Sequence, residues 1–318
     1  MKTPVTGVIM QLIRHSMIVP NVLERASALA IGNFDGLHRG HQSLIAAVLE
    51  SARDHQQVPA LMCFEPLPAA LLRPDQAPAR LMSVRDRLLA CCQAGIQRLL
   101  MPRFDRAFAS LSPEDFVQRW VVDAARARHV VVGEDFRFGA RAAGDITRLR
   151  ELGQRHGFEV QVMGAVTDAQ GVRISSTRVR TQLAAGALEE AAVLLGRAYV
   201  ISGRVRVGQQ LGRTLGYPTV NLRPPDPPAL QGVFAVRVSG AGLDGHPAVA
   251  SLGLRPTVGG DHWLLEVHLF DCDKDLYGAH LTVEFVARLR DELHFADLDA
   301  MVEQMHLDAA QARAILTD

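Results

Sequence analysis

The sequence GNFDGLHRGH, residues 32–41, decides how the first half of the chain folds. It follows a short apolar run at residues 28–31, which predicts a buried parallel strand, and it precedes apolar residues at helical spacing. A strand, a glycine-rich turn and a helix start in this order direct backbone N–H groups toward a phosphate. His38 and His41 flank Gly40, so both imidazoles can reach one anion. The stretch predicts an anion site, although a loop with two surface histidines has the same composition.

Length, composition and charge limit the class of protein. The chain has 318 residues, 48% of them hydrophobic, so two packed domains are expected. Its 34 basic residues balance 34 acidic ones, which gives no support for nucleic-acid binding. The four cysteines have no CxxC spacing, and no stretch approaches the ~20 apolar residues that cross a bilayer. These features, with no convincing signal peptide, predict a cytoplasmic protein without nucleic-acid or membrane partners and leave a homo-oligomer open.

Strand and helix patterns alternate through the first half. Apolar runs of strand length occur at residues 58–64, 99–101, 129–132 and 158–166, and helical patterns occur at residues 85–94, 146–156 and 177–195. Such alternation predicts a parallel sheet covered by helices on both faces, which binds ligands at the carboxyl ends of its strands. The turn at residues 32–41 lies at one such end.

Two other segments carry side chains that suit the same site. The segment GEDFRFG leaves a strand end and contains Asp135, although an ordinary strand-to-helix loop has the same composition. The segment ISSTRVR precedes a helix, so Ser176 or Thr177 is either an N-cap or a phosphate ligand. Arg180 comes one turn later and suits bidentate contact with phosphate.

In this order and spacing, GNFDGLHRGH, GEDFRFG and ISSTRVR resemble the N-terminal module of the bacterial bifunctional riboflavin kinase/FMN adenylyltransferase family. The first segment also resembles the HxGH signature of nucleotidyltransferases. The resemblance implies that His38 and His41 bind the triphosphate of ATP and act in catalysis. It implies further ATP- or phosphate-binding roles for Gly32, Phe34, Asp35, Gly36, Asp135, Ser176, Thr177 and Arg180. Leu67 departs from the family, which often has histidine there in an FxPxP segment, so a polar role at this position is in question.

The second half changes to strand patterns. Short alternating segments at residues 199–207, 232–238, 248–254, 263–270 and 281–289, punctuated by glycine and proline, predict a small antiparallel barrel. An amphipathic pattern at residues 298–316 predicts a helix that caps this barrel. The expected fold is therefore α/β plus β, with a Rossmann-like domain at residues 1–190 and a barrel domain at residues 191–318.

Thr219, Asn221 and Glu266 are the candidate reactive residues of the second half. Thr219 and Asn221 alternate on an extended segment, so their side chains point to one side. Their oxygens suit Mg²⁺, although a proline-containing turn between strands also explains the segment. Glu266 stands among apolar residues of a strand and faces either solvent or a site. A carboxylate near a hydroxyl substrate can take its proton during phosphoryl transfer.

The segments GRTLGYPTVNL, SLGLRPTVGG, LEVHLFD and LRDELHF resemble, in this order, the riboflavin kinase module of the same family. The resemblance implies that Glu266 is the catalytic base and that Thr219 and Asn221 bind Mg-ATP. The other positions implied are Gly203, Gly208 and Arg213 for ATP and Arg290 and Phe295 for flavin. Ser251 stands where an asparagine is common in the family.

The expected activity has two steps. The C-terminal module phosphorylates riboflavin with Mg-ATP to FMN, and the N-terminal module adenylylates FMN with a second ATP to FAD and pyrophosphate. Two alternatives stay open: an enzyme with one working site, where Leu67 makes the N-terminal site the weaker one, and a flavin-binding regulator. A regulator is disfavoured because binding alone needs neither the paired histidines nor Glu266.

Overall fold

The computed structural model describes residues 10–14, 25–207, 217–224, 227–255 and 262–317. The chain divides into two compact units, residues 1–78 with 87–174 and residues 79–86 with 175–318. Within the described ranges, every helix is too short or too polar to cross a membrane. None of the four cysteines, which all lie in these ranges, is in a disulfide. Burial raises the pKa of Cys91 to about 12, so this thiol stays protonated, as expected for a core residue.

The first unit is built on a parallel sheet of six strands, which confirms the fold predicted for this half. In chain order these are β1 (Gln11–Ile13), β2 (Ser27–Ile31), β3 (Val58–Met62), β4 (Arg98–Leu100), β5 (Ala127–Gly133) and β6 (Glu159–Met163). Across the sheet the order is β1-β4-β3-β2-β5-β6, and each pairing is parallel. The chain leaves β2 toward β3 on one side and later adds β5 on the other. Ligands of such sheets bind outside the carboxyl ends at this switch point.

Helices connect these strands and cover the sheet. They are α1 (Arg39–Asp54), α2 (Pro68–Leu72), α3 (Val84–Gln93), α4 (Arg106–Ala109), α5 (Pro113–Phe116), a π-helical stretch (Val117–Ala124) and α6 (Ile146–His156), with 3₁₀ turns at Pro74–Gln76 and Ala140–Ala142. Leu29 and Ile31 of β2 pack in one core with Trp120 and with Leu149 of α6. Helix α1 packs against β2, β3 and β5. The five positions of β2 are all buried, which fixes the start of the turn that follows it.

The second unit begins with two helices where one was predicted. They are α7 (Ser176–Ala184) and α8 (Leu188–Leu195). Gly186 separates them with a φ of 76°, a left-handed conformation that favours glycine. A Cβ at Gly186 would also overlap the side chain of Arg288. The prediction of one helix over residues 177–195 was therefore wrong, because the chain takes a left-handed conformation at Gly186 between two shorter helices.

A nearly closed antiparallel barrel of six strands follows, as predicted. Its strands are β7 (Val200–Arg204), β8 (Val220–Leu222), β9 (Gly232–Gly240), β10 (Leu243–Arg255), β11 (His262–Leu269) and β12 (His280–Arg290). Their order is β7-β12-β9-β10-β11-β8, and a bridge between Arg206 and Asn221 links the two ends. Helix α9 (Leu298–Leu316) has the predicted bounds. It packs Ala309 and Ala312 against Phe270 and Tyr217.

Candidate functional sites

The turn between β2 and α1 holds His38 and His41 side by side. His38 is the N-cap of α1, and its Nδ1 accepts a hydrogen bond from the backbone N–H of His41 at 3.4 Å. The two imidazole rings stack with their centroids 3.8 Å apart. His38 is buried and His41 is half-buried. Because Nδ1 of His38 accepts, the neutral ring carries its proton on Nε2, which can donate to an anion.

The other predicted residues of this turn determine its backbone path. Phe34 is fully buried and packs against the ring of His41 at 5.1 Å between centroids. A Cβ at Gly32 would lie 3.4 Å from the Phe34 ring, and Gly36 has a φ of 82°. Asp35 is 2% exposed. These four residues therefore form the turn that leads to the two histidines, and Phe34 packs directly against one of them.

Arg87 of α3 supports the turn and is not among the residues predicted from the sequence. Its side chain is 1% exposed. Nη1 donates to the carbonyl oxygen of Asn33 at 3.1 Å, and Nη2 donates to Oε2 of Glu65 at 2.6 Å. Leu67, two residues after Glu65, is buried. The available signal was an arginine inside the helical pattern at residues 85–94.

The turn after β5 brings Asp135 close to the chain that leads into α7. Oδ2 of Asp135 accepts a hydrogen bond from Nη2 of Arg173 at 2.7 Å, with both side chains at least half exposed. The carbonyl oxygen of Ile174 lies 3.6 Å from the position of a Cβ at Gly40. The first residue of ISSTRVR therefore lies beside the start of α1.

Ser176, Thr177 and Arg180 belong to α7 of the second unit. Ser175 is the N-cap of this helix, because its Oγ accepts from the N–H of Arg178 at 3.3 Å. The N-cap interpretation of Ser176 and Thr177 was therefore wrong, and their hydroxyls lie in the first turn. Nε of Arg180 donates to the carbonyl oxygen of Ala79 at 2.6 Å.

The second unit contains a cavity of about 380 Å³ next to β10, β11 and α9. Four of the predicted site residues line it, namely Thr219, Glu266, Arg290 and Phe295. Methionine and aromatic side chains supply apolar surface, including Tyr217, Met301 and Met305. The cavity thus combines an apolar lining with a few charged groups, which is typical of a site for a small organic ligand.

The orientation of Glu266, which alternation left open, is resolved by burial. Leu265 and Val267 are fully buried in the barrel, whereas Glu266 is half-buried and lines the cavity. Glu266 pairs with Asn221 in the register of β11 and β8. Asn221 is 7% exposed, and Thr219 lines the same cavity as Glu266.

Arg255 and Glu292 extend this group and were not predicted. Nη2 of Arg255 donates to Oε2 of Glu266 at 3.3 Å, and Nη1 donates to Oε1 of Glu292 at 2.6 Å. The Oγ of Ser251 accepts a hydrogen bond from Nη2 of Arg255 at 3.2 Å. The serine that replaces an asparagine common in the family therefore makes a polar contact in this structure. Burial lowers the pKa of Arg255, but the pairs with Glu292 and Glu266 outweigh it and raise this pKa.

Arg290 is held by α9 at the edge of the cavity. Its Nε and Nη2 donate to Asp308 at 2.9 Å and 2.6 Å, and its Nη1 donates to the carbonyl oxygen of Asp291 at 2.8 Å. Asp308 is 4% exposed and also accepts from Gln304 at 2.9 Å. The guanidinium carbon of Arg290 lies 5.8 Å from the ring centroid of Phe295.

The remaining predicted positions are glycines and a flap arginine. Gly203 lies in β7, where a Cβ would come 3.2 Å from the side chain of Leu222. Gly208 and Arg213 lie outside the described residues. In the part of the chain that the structure describes, no three His, Cys, Asp or Glu side chains cluster as a metal site.

Comparisons with known proteins match both halves of the chain. A family model described as FAD synthetase matches residues 21–178, and one described as riboflavin kinase matches residues 195–316. The chain is 42% identical over 306 residues to the bifunctional riboflavin kinase/FMN adenylyltransferase of Escherichia coli K12, covering 96% of this chain and 97% of that one. Its identity to the protein of the same name from Pseudomonas fluorescens is 42% over 299 residues, covering 92% and 93% of the two chains.

A solved structure shows the same fold. It is titled a macrolide-efflux protein from Streptococcus pneumoniae, and it superimposes with a TM-score of 0.80 and 30% identity over 96% of this chain and 99% of that one. For the present chain, the likeness supports the fold described above.

Proposed function

Because the chain belongs to the family of bifunctional riboflavin kinase/FMN adenylyltransferases, and so uses ATP to convert riboflavin to FMN and FMN to FAD, we propose that it does so at two separate sites. The observation that carries the proposal is the cavity that Glu266 and Thr219 both line, in a different unit from the stacked His38 and His41. We assign adenylyl transfer to a domain at residues 1–190 and phosphorylation to a domain at residues 191–318.

In the kinase site, Glu266 acts as the general base. Its carboxylate accepts the proton of the ribityl 5′-hydroxyl while that oxygen bonds to the γ-phosphorus of ATP, and ADP leaves with the bridging oxygen. The apolar cavity lined by Phe295, Met301 and Met305 suits the isoalloxazine ring. Arg290 stays at the cavity edge as a flavin contact.

Thr219 and Asn221 would hold Mg²⁺ together with the ATP phosphates. One hydroxyl and one amide oxygen beside Glu266 fit this ion, because Mg²⁺ prefers hard oxygens and takes most of its ligands from water and phosphate. When bound, the ion neutralises charge on the phosphates. Gly203, Gly208 and Arg213 keep the ATP-binding roles assigned by resemblance.

In the adenylyltransferase site, a phosphate oxygen of FMN bonds to the α-phosphorus of ATP and pyrophosphate leaves. The Nε2–H of His38 donates to a phosphoryl oxygen, and His41, stacked on it, contacts the same charge as it grows. Gly32, Phe34, Asp35 and Gly36 shape the turn that presents these rings. Asp135, Ser176, Thr177 and Arg180 keep their assignment to ATP by resemblance. The direct attack requires no covalent intermediate.

Three further predictions concern the environment of the enzyme. We propose a cytoplasmic location, where reduced thiols such as that of Cys91 persist. We also propose that the enzyme binds neither nucleic acid nor membrane. A homo-oligomer stays open.

A chromatographic time course with riboflavin, ATP and Mg²⁺ tests the two-site proposal. The unmodified enzyme should form FMN and then FAD. His38→Ala should form FMN without FAD, and Glu266→Ala should form FAD only when FMN is supplied. His55→Ala, at the other end of α1, and Glu284→Gln, on β12 outside the cavity, are matched controls that should keep both activities. Equal loss of both reactions in His38→Ala or in Glu266→Ala would contradict the proposal of two separate sites. Accumulation of FMN without FAD by the unmodified enzyme would show that the adenylyltransferase site does not work.

A further inference from the structure

We propose that Arg255 is a positioning residue of the kinase, which couples the orientation of the Glu266 carboxylate to residues 290–295 through Glu292. The proposal rests on the role of Glu266 as the base. It concerns two charged residues, Arg255 and Glu292, that have no role in the two reactions proposed above.

The guanidinium of Arg255 joins three parts of the second unit. Arg255 is the last residue of β10, and its Nη2 donates both to Ser251 of the same strand at 3.2 Å and to Glu266 of β11 at 3.3 Å. Its Nη1 donates to Glu292, which follows the end of β12, at 2.6 Å. A planar guanidinium presents its donors in a fixed fork, so a shift of one partner turns the donors that face the other.

The backbone of β10 leaves room for this arrangement. A Cβ at Gly253 would overlap the carboxylate of Glu292, so the glycine lets that carboxylate lie against the strand and reach Arg255. The side chains of Arg255, Glu266 and Glu292 are each about one-third exposed, at 32%, 34% and 35%. Partial shielding from water makes these charge contacts stronger than pairs on an open surface.

The position of Glu292 links the pair to the flavin contacts. It lies between Arg290 and Phe295, which both line the cavity, and it lines the cavity itself. Movement of this segment against a bound flavin therefore shifts Nη1 of Arg255 and, through the rigid fork, the hydrogen bond to Glu266. A general base must lie within hydrogen-bond reach of the proton that it takes, so its orientation limits the rate.

Kinase kinetics of Arg255→Gln and Arg255→Lys test the role of the guanidinium. Arg255→Gln should lower kcat for FMN formation about 10- to 100-fold, because misplacement of a reacting group by ~1 Å costs up to about 100-fold. KM for ATP should change by less than about threefold, since the lost contact acts on the base. Arg255→Lys keeps the charge without the fork and should recover part of kcat. Arg313→Gln is the matched control, since it removes the pair with Asp271 outside the cavity and should leave kcat unchanged.

A double-mutant cycle tests the coupling through Glu292. Glu292→Gln should lower kcat by about 3- to 10-fold alone and should have no further effect when Arg255 is already glutamine. Gly253→Ala displaces the Glu292 carboxylate without changing any charge and should behave like Glu292→Gln. If circular dichroism shows that Arg255→Gln is not folded, the kinetics of Gly253→Ala and Arg255→Lys test the coupling in its place.

Two results would overturn the coupling. One is an unchanged kcat in folded Arg255→Gln, and the other is full additivity of the Arg255 and Glu292 substitutions. Glu266→Gln, measured in parallel, separates the coupling from the proposed function. If Glu266→Gln is active, Glu266 is not the general base and the proposed function fails at this point. If Glu266→Gln is inactive and Arg255→Gln is fully active, Glu266 remains the base and only the coupling is rejected.

Discussion

The imidazole rings of His38 and His41 stack at 3.8 Å between centroids at the first turn of α1. Gly40 lies between them in sequence. Its lack of a side chain allows His38 to stack on His41 while it also caps the helix. A Cβ at Gly40 would lie 3.1 Å from Cε1 and 3.2 Å from Nδ1 of His38, closer than most Cβ atoms approach any neighbour. The glycine therefore lets one imidazole cap the helix and stack on the second at the same time.

Gly40→Ala should consequently impair adenylyl transfer without destabilising the fold. The added methyl group presses on His38, and we expect the rate of FAD formation from FMN to fall about tenfold. Alanine favours a helix over glycine by about 1 kcal/mol, so the melting temperature should not fall. Gly164→Ala is the matched control, because a Cβ there meets nothing within 4 Å. Riboflavin phosphorylation should be unchanged in both, and an unchanged FAD rate in Gly40→Ala would contradict a role for the stacked pair.

Arg87→Met should unfold the first unit more easily and reduce FAD formation. The substitution removes the contacts of Arg87 with Asn33 and Glu65. Loss of one partner of a buried ion pair costs about 3 kcal/mol, so we expect urea unfolding to show a free energy of unfolding lower by about that amount. Arg119→Met, which removes an exposed pair with Asp115, should cost less than about 1 kcal/mol. Equal effects of the two substitutions would show that Arg87 does not support the turn, and FMN formation should persist in both.

Elements with their own end signals could be predicted closely from the sequence. Helix α6 has the predicted bounds because Asp145 accepts from the N–H of Arg148 at its start and Gly157 takes a φ of 75° at its end. The histidine pair could be predicted for the same reason, since the strand, turn and helix that present it are contiguous. These features depend on neighbours within a few residues.

Features that depend on distant residues could not be predicted. The close approach of Gly186 to the side chain of Arg288 joins residues about one hundred positions apart. The contact of Arg255 with Glu292 joins residues 37 positions apart, and neither spacing nor composition brings them together. The orientation of Glu266 was equally open, because alternation assigns faces to a strand without saying which face is covered.

The first unit should lose stability in mild acid partly through His129. Burial, and then the nearby charge of His55, lower the pKa of His129 below 6.5. Below about pH 6.5, His129 therefore binds a proton more readily in the unfolded chain than in the folded protein. The free energy of unfolding falls as the pH drops through this range. His129→Gln removes this contribution, so its melting temperature should fall less between pH 7 and pH 5 than that of the unmodified protein. An identical fall in both proteins would assign the acid sensitivity to other groups.

Asp308→Asn should weaken riboflavin binding more than it slows the chemical step. The buried carboxylate holds Nε and Nη2 of Arg290, and its neutral replacement leaves the guanidinium without a counter-charge at the cavity edge. We expect KM for riboflavin to rise about tenfold with a smaller change in kcat, since the proposed role of Arg290 is to contact flavin and not the reacting phosphate. Riboflavin fluorescence titration and initial rates of FMN formation measure the two effects. Asp271→Asn removes an exposed carboxylate paired with Arg313 and should leave both unchanged. An unchanged KM in folded Asp308→Asn would contradict this prediction. It would mean that β12 positions Arg290 at the cavity edge without the ion pair to Asp308 of α9.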